Sequence, residues 1–177
     1  MNLNFFKTQG LYTFAVSKKE NEKLNGWGAK TNKRTLQPEM GRKFELVSLS
    51  GNESVGITRF LMRVKNPSSR IRQSIVASAN WFDLVKIVGY KYVDIVATNE
   101  PKGRDRVIVP DPNSTIWARF YEIGTNRPFF SGRDSQKKYS VAEIEVERRA
   151  GYAWYGTRPD KLIKTEYREW LKKNRLK

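Results

Sequence analysis

One change of rhythm along the chain constrains its fold more than any other feature. From about Ser69 to Val88, apolar residues return every three to four positions, at Ile71, Ile75, Ala79, Phe82 and Val85, while Arg70, Arg72 and Lys86 lie off that stripe. This spacing predicts a helix with one buried face. From Tyr90 to Phe130 the pattern switches to short alternating or β-branched runs, Tyr92 to Ala97, Arg106 to Val109 and Ile116 to Tyr121, divided by Pro and Gly. Such runs read as an irregular β-containing insert, a small sheet between helical segments.

Helical signals flank the insert. Glu53 to Val64 places Val55, Phe60 and Met62 at helical spacing, and Asn66-Pro67-Ser68 then stops that helix and caps the next, so the two are expected to pack antiparallel. Ser140 with Glu143 forms a capping-box signature for a helix through about Ala153, and Pro159 with Asp160 opens a last helix to about Asn174. Leu3 to Gln9 fits the last turns of a helix, and the charged segment Lys18 to Lys23 reads as a looped-out insert. With 177 residues, 38% of them hydrophobic, the chain has the length and apolar content of one globular domain, residues 1–177.

Composition then narrows the chemistry. The formal net charge of +16 predicts attraction to polyanions. The chain has no His and no Cys, which excludes Ser-His, Cys-His and His-metal sites and leaves carboxylates, Lys, Tyr or Arg for proton transfer. No apolar run is long enough to span a bilayer, and the N-terminal M-N-L-N-F-F-K-T-Q-G-L-Y-T-F lacks the layout of a secretion signal. Between Trp117 and Arg133 the sequence W-A-R-F-Y-E-I-G-T-N-R-P-F-F-S-G-R mixes aromatics with arginines. Aromatic faces and guanidinium forks in that density suit an anionic ring, from an acidic sugar or a nucleic acid.

Several blocks, in order, resemble the family 10 pectate lyases: S-L-S-G-N-E-S-V-G-I from Ser48 to Ile57, R-F-L-M at Arg59 to Met62, D-R-V-I-V-P-D-P at Asp105 to Pro112, the Trp117 to Arg133 stretch, E-I-E-V-E-R-R at Glu143 to Arg149, and G-Y-A-W-Y-G from Gly151 to Gly156. The resemblance runs from about Leu24 to the end and corresponds to the C-terminal half of that family's catalytic domain. It implies a mainly α fold, a partial α/α toroid (an incomplete α/α barrel) with the β-containing insert, whose front half lies upstream. It also implies calcium-assisted β-elimination of polygalacturonate (pectate) with an arginine as base, calcium ligands largely in the front half, and a secreted or periplasmic location reached through an upstream segment.

Carried over by motif, the catalytic base is Arg42 in G-R-K-F-E, where relatives have an arginine and a glutamate at the same spacing; the plain alternative is a surface arginine paired with Glu45. Arg127 and Asn126 in T-N-R-P are expected to grip a uronate from a turn held by Pro128. Arg133 in S-G-R-D either binds similarly or belongs to a simple turn with Asp134. Glu53 either meets substrate or serves its helix N-terminus, and Trp154 and Tyr155 either form a sugar platform or join the core. Arg119 fits a strand's solvent face equally well. Relatives read W-C-x-Q-H-D where this chain has W-G-A-K-T-N from Trp27 to Asn32. Two other expectations remain open: an impaired remnant that still binds acidic polysaccharide, and a basic nucleic-acid binder. The second lacks a recognised motif, and its positive residues are spread along the chain.

Overall fold

The computed structural model describes residues 25–175 other than 36 and 101; the expectations for Leu3 to Gln9 and Lys18 to Lys23 lie outside them. A short strand β1 (Leu49–Ser50) leads into helix α1 (Glu53–Met62) and then α2 (Ser69–Leu84). The Ser68 hydroxyl accepts from Ile71 N at the start of α2, as the Asn66-Pro67-Ser68 punctuation anticipates. All five stripe residues, Ile71, Ile75, Ala79, Phe82 and Val85, are buried. On α1 the buried face is Ser54, Val55, Thr58 and Leu61, while Phe60 is exposed. Thr58 and Ser78 join the two helices through a buried hydroxyl pair at 2.7 Å.

Helix α2 ends before Val88 because Ile87 and Val88 are taken by a sheet. Strands β2 (Ile87–Val96) and β3 (Arg104–Ala118) form one long antiparallel hairpin. The prolines do not divide the strand: Pro110 pairs with Tyr90 at the edge of a bulge that absorbs Pro112, since Val88 faces Thr115 and Asp111 to Ser114 stand opposite Gly89 alone. A bulge suits both residue types, since proline has no N–H to give the ladder and Gly89 adopts φ 85° there.

Strand β4 (Phe120–Tyr121) lies antiparallel to β1, pairing Leu49 with Tyr121 and Ser50 with Phe120. Then β5 (Phe130–Ser131) pairs with β6 (Lys137–Lys138), and the Ser140–Glu143 capping box forms around a 3-10 turn, Val141–Glu143. The predicted helix does not continue from it. Ile144 turns extended and buries its side chain, and a separate short helix α3 (Val146–Gly151) comes next. Strand β7 (Tyr155–Gly156) adds to β3, and the C-terminal helix runs through α4 (Arg158–Lys161), a π turn (Leu162–Glu166) and α5 (Tyr167–Lys173). The π turn carries Glu166, which clasps Arg59 of α1 at 2.7 and 3.0 Å.

The expectation of a mainly α partial toroid with a small insert is therefore corrected. Helix and strand are of similar extent, 34% and 27%, and among the described residues the strands form three sheets, so the fold is mixed α and β. The β content was underestimated because the hairpin spans more residues than its alternating runs, the prolines being tolerated.

Among the described residues, three apolar clusters fill the interior. The first joins α2 to β1, β3 and β4 through Leu49, Val55, Trp81, Phe82, Val85, Trp117 and Tyr121. The second packs Trp27 with Leu61, Ile71, Ile75 and Trp170. The third gathers Phe120, Phe129, Phe130, Val141, Ile144 and Trp154. Polar tips of buried aromatics are satisfied: Trp117 Nε1 donates to Phe82 O at 2.8 Å, Trp154 Nε1 to Arg148 O at 3.0 Å, and Trp81 Nε1 to Asn126 Oδ1 at 2.8 Å.

Two neighbouring substitutions check this packing. Phe82 is 0% exposed and Leu84 is 70% exposed. Phe82→Ala is expected to destabilise the chain by about 3–5 kcal/mol, and Leu84→Ala by less than about 0.5 kcal/mol, read from denaturant midpoints.

Candidate functional site

The S-L-S-G-N-E block builds the site's frame. Ser50 N donates to Trp27 O at 2.8 Å and Gly51 N to Arg119 O at 2.9 Å. A Cβ on Gly51 would stand 2.3 Å from Ala118 O, so only glycine lets the turn lie this close to β3. The turn delivers Glu53, at the first turn of α1, to Arg119 in the step between β3 and β4. Arg119 Nη2 donates to Glu53 Oε1 at 2.7 Å, and the Ser50 hydroxyl donates to Glu53 Oε2. The guanidinium of Arg119 also lies 4.9 Å from the Tyr152 ring centroid and 5.7 Å from that of Phe120. Its Nε is buried with no hydrogen-bond partner among the described residues.

Tyr152 connects this pair to Arg42. Its hydroxyl donates to Glu45 Oε1 at 2.9 Å, and Arg42 Nη2 donates to the same oxygen at 2.6 Å. The Arg42 guanidinium holds the Glu45 carboxyl down at about 2, aided by the Arg42 backbone and the Tyr152 hydroxyl against the opposing effect of burial. Burial pushes the Tyr152 phenol up to about 12, and the Glu45 bond adds to that shift. Arg42 is shifted upward, first by its hydrogen bond to Glu45. Behind the loop, the buried Arg148 stacks on Phe44, 3.8 Å from its centroid, with Tyr152 and Trp154 at 5.3 and 5.6 Å. Desolvation lowers the Arg148 pKa, and the positive charge of Arg133 adds to this.

Two clefts meet at Arg119. One, of about 250 Å³, is lined by Asn52, Trp117, Tyr155, Arg158 and Pro159 among others, and Arg158 Nη1 donates to Asn52 Oδ1 at 2.5 Å. The other, of about 50 Å³, is lined by Lys30, Gly41, Glu45, Glu53, Arg119 and Phe120 with Ala29. The structure thus brings together Arg42, Glu53 and Tyr155 of the sequence candidates, through Glu45, Tyr152 and Arg119.

The other candidates have different surroundings. Asn126 sits at φ 58° and turns its side-chain oxygen inward to Trp81. Arg127 is exposed and lies flat on Tyr139, 3.5 Å from the ring centroid. Their turn is pinned by Glu122, which accepts from Lys137, Tyr139 and Thr125. Arg133 spreads its fork on Glu147 at 2.5 and 3.1 Å, and Asp134 receives Gln136 N at 3.0 Å, the simple turn. Trp154 is 0% exposed, so it offers no face to a sugar and belongs to the third cluster.

The sequence left Arg119 between a site role and a strand's solvent face, and it did not single out Tyr152 or Lys30 as site residues. One signal for Arg119 was present: Trp117, Ala118, Phe120 and Tyr121 are all apolar or aromatic, which leaves a lone arginine in a segment with no solvent-facing alternation. No group of three or more acidic side chains able to hold a metal ion occurs among the described residues. The calcium ligands that the resemblance implies were expected largely in the front half, not among these residues.

A family model described as pectic acid lyase matches residues 8–163. Among solved structures, a family 10 polysaccharide lyase from Cellvibrio cellulosa superposes with a TM-score of 0.77 at 34% identity, covering 95% of this chain and 51% of its own. A mutant of a family 10 polysaccharide lyase from the same organism, in complex with trigalacturonic acid, gives the same TM-score and identity with 93% and 50% covered. The chain spans about half the length of these structures. No curated protein matches it. The chain belongs to the pectic acid lyase family.

The Glu45 pairing is directly measurable. The folded pKa lies below the ordinary 4.5, so the pairing stabilises the fold above that value, and the contribution is lost as pH falls toward 2. In Arg42→Ala the Glu45 carboxyl is expected to titrate at higher pH than in the wild type, followed by carboxyl carbon NMR.

Proposed function

We propose, from membership in the pectic acid lyase family, that this chain supplies part of a pectate lyase acting on polygalacturonate by β-elimination. The family match over residues 8–163 carries the reading, since it spans the Arg42 loop, the Ser48 to Glu53 turn and the Trp117 to Arg133 stretch. Elimination removes the proton at C5 of a galacturonate. The C–H electron pair becomes the C4–C5 double bond, the C4–O4 bond breaks, and O4 leaves with the departing chain after taking up a proton.

The roles follow from the exposed and buried faces of the site. Arg42 is the candidate base, being on an exposed loop beside the cleft. Arg119 and Arg158, flanking the half-buried Tyr155, suit a uronate ring, with guanidinium forks for its carboxylate and an aromatic wall for its apolar face. Arg127 and Arg133 lie farther along the same strand-rich segment and suit neighbouring uronates, Arg133 after releasing Glu147. Such a lyase acts on an extracellular polymer, consistent with a secreted or periplasmic location. Among the described residues, no helix is long and apolar enough to cross a membrane.

One observation favours a second reading, a protein that binds acidic polysaccharide without cleaving it. Glu45 raises the Arg42 pKa and so favours the protonated guanidinium, the form that binds anions and cannot accept a proton. For Arg42 to act as base, the pair must open when substrate arrives.

Ultraviolet absorbance of the unsaturated product, with polygalacturonate and either calcium or a chelator, separates the readings. The lyase reading expects product from the 177-residue chain, with Arg42→Ala and Arg42→Lys each lowering the rate at least about a hundredfold. Binding of polygalacturonate with no product under either condition assigns the chain to the second reading.

A further inference from the structure

A groove of about 520 Å³ separates α2 and the base of the β2–β3 hairpin from the C-terminal helix. None of Arg42, Arg119 or Tyr152 lines it. It has the size and the make-up of a ligand site, an apolar wall set with a few polar groups. Val88, Ile163, Tyr167 and Leu171 give the wall. Asp83 takes Lys86 at 2.6 Å and Asp160 takes Lys164 at 2.7 Å, so those four lining charges cancel in pairs.

Three polar side chains are left over. Asn80, Thr115 and Arg168 all line the groove, and none has a hydrogen bond or ion pair among the described residues. By contrast, Arg42, Arg59, Arg119 and Arg149 each hold a carboxylate. Arg168 also stands four positions from Lys164 and four from Lys172, and like charges at that spacing weaken a helix. The helix dipole accounts for Lys172 and Lys173 in the last turn of α5, but not for Arg168 in its first. An anion beside Arg168 relieves the repulsion, and hydroxyl groups satisfy Asn80 and Thr115. An acidic sugar brings both, together with an apolar ring face for the wall. A stacked nucleic-acid duplex offers no single ring to a concave groove.

We propose that this groove is a second binding site for an acidic polysaccharide, holding the polymer away from the reacting bond. The assignment rests on the pectate reading above and adds a second point of attachment to it. Trp117 lines both this groove and the 250 Å³ cleft beside Arg119, and Pro159 lines that cleft while its neighbour Asp160 lines the groove. A polymer leaving the first therefore has a short path to the second, and linked attachment raises affinity without any new contact at the first.

Calorimetric titration of the 177-residue chain with polygalacturonate and with trigalacturonic acid tests this in the wild type, Arg168→Gln and Val88→Glu. Val88 is 57% exposed, so its replacement sets a carboxylate in the groove without entering the core. Polymer affinity is expected to fall about fivefold in Arg168→Gln and more than about tenfold in Val88→Glu, while the tighter trimer site keeps its affinity. Unchanged polymer affinity in both variants, with near-ultraviolet circular dichroism confirming their fold, overturns the groove site and leaves the pectate reading standing. Equal weakening of the trimer overturns the separation of the two sites. Duplex DNA that displaces polygalacturonate from the wild type but not from Arg168→Gln overturns the assignment to a sugar. Absence of wild-type binding to either saccharide overturns the pectate reading itself, and the groove assignment with it.

Discussion

The antiparallel contact of β1 with β4 is the constraint on which the rest of the structure depends. Two residue pairs, Leu49 with Tyr121 and Ser50 with Phe120, press the start of the helical region against the end of the long hairpin. Gly51 permits the approach, since any side chain there would meet the Ala118 carbonyl. Tyr121 locks it from beneath, its hydroxyl accepting from Ala118 N at 2.7 Å and donating to Val85 O at 3.2 Å. These bonds tie the hairpin to the end of α2, so the first cluster closes around Trp81, Phe82 and Trp117. The same contact sets Glu53 opposite Arg119, and so the core and the candidate site share one geometric origin.

A strongly cationic chain has to decide where its few carboxylates go. The sequence has 34 Lys and Arg against 18 Asp and Glu, and the acids near the site are spent on ordering specific arginines. Glu45 orders Arg42, Glu53 orders Arg119, Glu147 orders Arg133, and Asp105 holds Arg149 at 2.5 Å between β3 and α3. Bidentate or shared carboxylate contacts fix a guanidinium's direction more firmly than solvent does. The surplus cations give the surface its attraction for polyanions, while the paired ones give it shape. Arg148 obeys a different rule. Buried without a carboxylate contact on Nε or Nη2, it rests on the faces of Phe44, Tyr152 and Trp154, where ring quadrupoles replace part of the lost hydration.

Much of the helical architecture was legible in the sequence, because its signals act over three or four residues. The stripe on α2, the Ser68 cap, the Ser140–Glu143 box and the proline-opened C-terminal helix are all present. The sheet was legible only in part. Its alternation was visible, but its extent depended on a bulge that begins after Pro110 and accommodates Pro112, and whether a proline breaks a strand or sits at a bulge is decided by the partner strand. The same limit made the capping box misleading about length, since burial of Ile144 in the third cluster turns the backbone extended immediately after the box.

The site shows the division most clearly. Sequence by itself determined the chemical inventory: no histidine or cysteine, an excess of guanidinium groups, aromatics interleaved with them, and the ordered blocks that mark the family. Tertiary structure alone decided which of those groups meet. Glu53 and Arg119 are 66 positions apart, and Glu45 and Tyr152 are 107 apart; no local pattern encodes either pairing. Trp154 and Tyr155 read alike in sequence, as a sugar platform or as core, yet burial takes one and leaves the other at the cleft. The physical reason is that residue type and spacing fix what a side chain can do, whereas its partners and dielectric surroundings come from chain segments that only folding brings together.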